Sequence, residues 1–153
     1  TRNRTLFPYT TLFRSGQFPI WVIIEFFSMG MLSYLYADLK SVDQKKIARE
    51  LYHTSSVCLK SWLRCLTELR NRCAHYSRIY YWSFPALPRM PKNVSFNTNR
   101  KLFSQILTLK FLYPDKNEWE SRIMTELRAL IEEYGDDISL SHIGFPENWD
   151  EMI

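Results

Sequence analysis

Three prolines at three-residue spacing, Pro85, Pro88 and Pro91, constrain this chain more than any other feature. Each fixes φ and removes a backbone donor, so no helix runs through residues 83–97, and a long ordered loop is expected there. On both sides of the loop, apolar residues recur at steps of three and four, the period of a helix with one buried face. Nothing alternates apolar with polar over the length of a strand. The chain therefore reads as helical blocks joined by a proline-rich loop, an all-α fold.

Before the loop, Pro19 suits the first turn of a helix, and Ile20, Ile24, Phe27, Met31, Tyr34 and Leu35 predict one helix over 19–38. It is apolar on nearly all sides, so it is expected at the centre of the core. It approaches bilayer-spanning length, but Glu25, Ser28, Gly30 and Ser33 interrupt it, and no membrane span is expected. Glu25, alone on that helix, needs a partner, expected among Arg64, Arg72 and Arg78; a direct catalytic role is the alternative. Ser41 with Gln44 predicts a capping box for a helix through Tyr52. Thr54 or Ser55 caps a third helix reaching His75, striped by Val57, Leu59, Trp62, Leu63, Leu66 and Leu69.

After the loop, Asn97 or Thr98 is expected to start a helix ending before Pro114, and residues 118–134 repeat the helical pattern until Gly135 and Asp136 close it. The final stretch, HIGFPENWDEMI, places Pro146 in the first turn of a short helix whose Trp149, with Phe145, anchors on the core. A chain of 153 residues with this apolar content fits a single domain.

The first fifteen residues, TRNRTLFPYTTLFRS, carry three arginines, no acid and no apolar period. Thr10, Thr11, Arg14, Ser15 and Gln17 break up any signal-peptide core. TLFPYTTLFRS resembles, residue for residue, the in-frame translation of a widely used sequencing adapter. Residues 1–15 are therefore set aside as a non-native segment, residues 16–153 are read as the domain, and the natural N-terminus is expected to be missing. Without the segment, 17 basic residues face 16 acidic ones, so the basic character of the whole chain is largely its contribution. The distribution says more: residues 38–92 hold 11 basic and 4 acidic side chains, residues 113–153 hold 3 basic and 11 acidic. A basic face able to meet phosphate is one reading, and mutual packing of the two faces is the other.

Cys58, Cys65 and Cys73 recur every seven or eight residues within one helical pattern and lack CxxC spacing, which predicts buried helix residues in a reducing cytoplasm. His53 and His142 stand far from them in sequence, so no metal site and no cofactor is expected.

Within the third helix lies ELRNRCAHYSR, which puts Arg70, Asn71, Arg72, His75 and Arg78 within three turns. Asn71 and His75 are four apart, on one face, so the amide could orient the imidazole; Arg70 lies roughly 140° around the axis from His75. Arginine, amide and histidine without a carboxylate suit transesterification at an RNA phosphate: histidine moves protons near neutral pH, and arginine holds a phosphoryl oxygen in a bidentate fork. Tyr76, Tyr80, Tyr81 and Trp82 could stack on bases beside it or pack in the core or a dimer seam.

RNRCAHYSRIY resembles the R-N-x3-H core of HEPN domains, and specifically the Abi_2 (AbiD/AbiF-like) abortive-infection family. PIWVIIEFFSMGMLSYLY resembles that family's Pro-x-Trp, Glu, Phe-Ser-x-Gly stretch, and IGFPENW its C-terminal motif. The resemblance implies a HEPN-like helical bundle, here N-terminally truncated. It also implies a metal-independent endoribonuclease site at Arg70, Asn71 and His75, with Arg72, Tyr76 and Arg78 as RNA contacts. The partners it implies are RNA, a second copy meeting it through the motif-bearing helix, and an antitoxin or inhibitor, in a toxin-like phage-defence role. The family usually has a second histidine where Tyr76 stands and Trp-Asn where Tyr80 and Tyr81 stand, and it is longer at the N-terminus, so loss of activity in a fragment is expected. Against this enzyme reading stand a non-catalytic domain that binds RNA or a partner protein through the same face, and a purely structural helical fragment.

Overall fold

The computed structural model describes residues 19–153; the adapter-like segment 1–15 lies outside the described residues. Among these, every regular element is helical and none is a strand. The order is α1 (Ile20–Ile24), α2 (Met29–Asp38), α3 (Ser41–Tyr52), α4 (Ser56–Ala74), the proline-rich loop, then α5 (Leu102–Leu112) and α6 (Lys116–Glu118). A π-helical turn (Trp119–Met124) leads directly into α7 (Thr125–Glu133), followed by a 3-10 turn (Leu140–Ile143) and α8 (Trp149–Met152). Helix α4 is the hub: α2, α3 and α5 all pack on it. No described helix is long and apolar enough to cross a membrane.

The single helix expected over 19–38 is broken. Ser28 takes the N-cap position of α2 and accepts from the Met31 amide at 3.2 Å, while the Phe26 and Phe27 amides bond three residues back. A side chain that satisfies a free helix donor locally competes with continuation of the ladder. Nor is this region the centre of the core: Trp21 and Phe26 are each 68% exposed and Tyr34 74%, with only Val22 and Tyr36 buried. Glu25 therefore sits exposed at the break, and no ion pair with Arg64, Arg72 or Arg78 forms. In water its charge needs no partner.

Helix α3 begins at Ser41, but not by a capping box: Gln44 donates instead to the Ala37 and Leu39 carbonyls at 2.9 and 2.8 Å, closing the end of α2. Ser55 caps α4 as expected, accepting from the Cys58 amide at 3.2 Å. Helix α5 starts later than the sequence implies. Asn99 accepts from the Lys101 amide and Ser104, and Thr98 donates to the Pro88 carbonyl at 2.9 Å, so these polar residues pin the loop rather than extend the helix.

The loop itself is partly interior. Phe84, Ala86 and Pro88 are buried, which obliges its backbone to find partners. The Phe84 amide and Arg100 carbonyl meet at 2.8 Å, Arg100 donates to the Phe84 and Pro85 carbonyls, the Arg89 amide donates to Ser61 at 3.0 Å, and Trp62 Nε1 donates to the Arg89 carbonyl at 2.7 Å.

Two apolar clusters form the interior. Tyr36, Ala48, Cys58, Leu59 and Trp62 make one, and Phe103, Leu107, Trp119, Met124, Ile143, Phe145 and Ile153 the other, with Phe111 packed against both. Trp119 and Met124 are five apart, which would splay them about 140° on an α-helix; the wider π turn lets both face the same cluster. Asp115 caps this segment, accepting from the Asn117 and Glu118 amides. At the C-terminus Phe145 is buried and Trp149 half-buried, their rings 5.5 Å apart edge to face, and Arg128 holds Asp150 at 2.7 Å. The closing segment thus docks on the core, with Pro146 just ahead of α8 rather than inside it.

Of the three cysteines, all free, Cys58 and Cys65 are buried on the inner face of α4, and burial pushes the Cys65 thiol up to about 12. Cys73 is exposed, against expectation, because eight residues past Cys65 brings it about 80° round the helix axis from the inner face.

Candidate functional site

The motif occupies the end of α4 and the turn that leaves it. Arg70 and His75 are exposed, Asn71 and Arg72 half-buried, and Arg78 exposed beyond the turn. The helix ends in a paired carbonyl cap: the Tyr76 amide bonds the Cys73 carbonyl at 3.1 Å and the Ser77 amide the Arg72 carbonyl at 3.0 Å, with His75 as C-cap and Tyr76 in the left-handed region at φ 49°. Glycine is the usual occupant of that position, since it has no Cβ to strain. Here a tyrosine occupies it with 99% of its surface exposed, so nothing in its packing compensates the strain.

Arg70 Nη1 donates to Asn71 Oδ1 at 3.1 Å. The amide therefore engages the arginine; a bond between Asn71 and the His75 ring, which the spacing allows, does not form. Arg72 departs from the others. Its guanidinium lies 3.4 Å over the Trp82 ring, and its Nε is buried without a hydrogen-bond partner, so the ring carries part of its interaction. Arg78 Nε donates to the Tyr80 carbonyl at 3.2 Å, leaving its terminal nitrogens outward.

Sequence reasoning singled out Arg70, Asn71, His75, Arg72, Tyr76 and Arg78, and these fall within one helix end and its exit turn. It missed Trp82 as the platform under Arg72, and His142, which sits between the Tyr80 and Tyr81 hydroxyls at 3.2 and 3.4 Å. Nothing in the spacing could reveal a contact across so many residues.

The charge asymmetry persists in three dimensions. Both ion pairs among the described residues, Arg122 with Glu118 and Arg128 with Asp150, lie in the acidic C-terminal part. No ion pair among the described residues joins the basic stretch to the acidic one. Among the described residues, no three His, Cys, Asp or Glu side chains gather so as to hold a metal ion. A cleft of about 1030 Å³, lined by residues including His53, Arg89 and Lys92, lies at the opposite end of α4, which at 19 residues and 1.5 Å per residue is about 28 Å long. Arg70, His75, Tyr76 and Arg78 of the motif lie exposed on the surface.

An exposed arginine bonded to an asparagine, an exposed imidazole five residues past that arginine and two further arginines nearby thus gather at one helix end of an all-α scaffold. The model of the family described as Abi-like protein matches residues 3–81, a span that reaches into the adapter-like segment at one end and takes in the whole motif at the other. The chain belongs to this Abi-like family. No curated protein and no solved structure matches it significantly.

Proposed function

We propose that this protein is a metal-independent endoribonuclease of abortive-infection type, acting in the cytoplasm in phage defence. The observation that carries the reading is the joint exposure of Arg70 and His75 at the end of α4, with Asn71 fixing the arginine, on a surface whose cations have no acidic partners. His75 takes the proton of a ribose 2′-hydroxyl, whose oxygen attacks the adjacent phosphorus. Arg70 holds the non-bridging oxygens as charge builds on them. The bond to the 5′-oxygen breaks, that oxygen takes up a proton, and the products are a 2′,3′-cyclic phosphate and a 5′-hydroxyl. Arg72, Tyr76 and Arg78 contact the flanking strand. A homodimer formed along the motif-bearing helix brings a second imidazole to the leaving oxygen, and an antitoxin or inhibitor protein holds the activity in check.

The test is cleavage of single-stranded RNA in EDTA. Cleavage with cyclic phosphate ends, and none of the all-deoxyribose strand, is the expected result; 3′-hydroxyl ends or a requirement for added metal contradicts it.

A second reading has its own support. Trp21 on α1, Phe26 at the break and Tyr34 on α2 each expose a large apolar side chain, as a non-catalytic domain that binds a partner protein would. On that reading His75→Ala leaves every RNA-linked property unchanged.

A further inference from the structure

His142 lies well away in sequence from the motif, yet it is built into the segment that leaves it. Tyr80 Oη accepts from the Ser139 amide at 2.9 Å, so its own proton is free for His142 Nδ1 at 3.2 Å. In the tautomer whose Nδ1 accepts, the ring proton is on Nε2, which faces Tyr81 Oη at 3.4 Å. The imidazole also lies along the Tyr81 ring, centroids 4.5 Å apart and planes 30° apart, with Tyr80 edge-on to Tyr81 at 4.7 Å. Tyr81 itself is at φ 61°, a left-handed conformation uncommon for a bulky side chain.

This arrangement holds a ring in place without burying it: Tyr81 remains half exposed. A tyrosine kept for core packing would be inside. A rigid aromatic ring with an open surface beside a cation is what holds a nucleobase of a single strand. The cation is present, because Arg78 is bonded to the Tyr80 carbonyl and so is fixed to the same peptide as the ring, with its terminal nitrogens left for a phosphate.

We propose that His142 is a positioning residue of the RNA site, fixing Tyr81 as the stacking platform for one nucleobase whose backbone phosphate meets Arg78. The inference rests on the reading that RNA is the substrate, and it places the C-terminal segment, outside the matched span, in substrate recognition.

The experiment measures anisotropy of two fluorescein-labelled 12-mers, one single-stranded RNA and one with abasic riboses throughout, on full-length protein carrying His75→Ala so that the strand survives. His142→Ala is expected to weaken binding of the base-bearing strand about tenfold or more, within the range one base–aromatic stack supports, and to leave the abasic strand unaffected. His142→Gln, which can still accept from one tyrosine and donate to the other, should recover most of the loss. Tyr81→Ala, which deletes the platform without touching the C-terminal segment, should reproduce the selective loss even if His142→Ala does not fold. Equal losses on both strands, or no loss with Tyr81→Ala, overturns the inference and leaves the RNA reading standing. A parent that binds neither strand overturns both.

Discussion

Trp62 of α4 stacks on Phe111 of α5 with ring centroids 5.0 Å apart and planes within 10°. The pair joins the two apolar clusters, and Trp62 Nε1 also holds the Arg89 carbonyl of the proline-rich loop. Trp62→Ala should therefore cost about 3 to 5 kcal/mol in denaturant unfolding and loosen the loop together with the helices. A loss under about 1 kcal/mol would mean that the clusters do not depend on this contact.

Gly144 is required by its surroundings. Its φ is 85°, and a Cβ built there would come 2.5 Å from Lys101 Cβ. Gly144→Ala should destabilise by at least about 1 kcal/mol and raise protease sensitivity of the C-terminal segment. A neutral melt would show that Lys101 and the turn can both shift.

At Tyr76, stability and function should move in opposite directions. The side chain is exposed and strained, so Tyr76→Gly should stabilise the fold by about 0.5 to 1 kcal/mol through relief of the left-handed conformation. The same change should weaken RNA binding, because it removes an exposed ring beside His75. Destabilisation on calorimetry would show that the ring packs on something in solution.

Cys65 sets a pH limit. Burial raises its pKa from 9.0 to about 12, opposed by Arg64 and reinforced by Glu68. A folded-state pKa above the unfolded one means that the folded chain binds the extra proton, so this contribution is intact below pH 9 and is lost as pH rises from about 9 towards 12. Cys65→Ala should flatten that decline in unfolding free energy. In the native protein, a thiol reagent should modify exposed Cys73 at once, and Cys58 and Cys65 only on unfolding.

Helix α4 was legible because two independent signals agree, a Ser55 cap and an apolar stripe from Val57 to Leu69, and the motif was legible because it lies on that one helix. The break before α2 was not, since the apolar period continues through Ile24, Phe27 and Met31 while one hydroxyl, Ser28, redirects the backbone. The later start of α5 was hidden for a similar reason: Asn97 and Thr98 are good caps by residue type, but the Thr98 hydroxyl goes to the Pro88 carbonyl, and Asn99 takes the Lys101 amide. The π turn at Trp119 serves tertiary packing, to which a local period is blind. His142 required a contact spanning 61 residues, and no local pattern encodes that.

The central claim is that Arg70 and His75 cleave RNA, and single-turnover cleavage by the full-length protein tests it most directly. His75→Ala should slow cleavage by about 10²- to 10⁴-fold, the usual contribution of a positioned proton-transfer group. Arg70→Lys should also fail, because a point charge cannot reproduce the planar fork that Asn71 orients. Both variants should keep the parent's melting temperature and oligomeric mass. A folded His75→Ala protein that cleaves RNA at the parental rate would contradict the account.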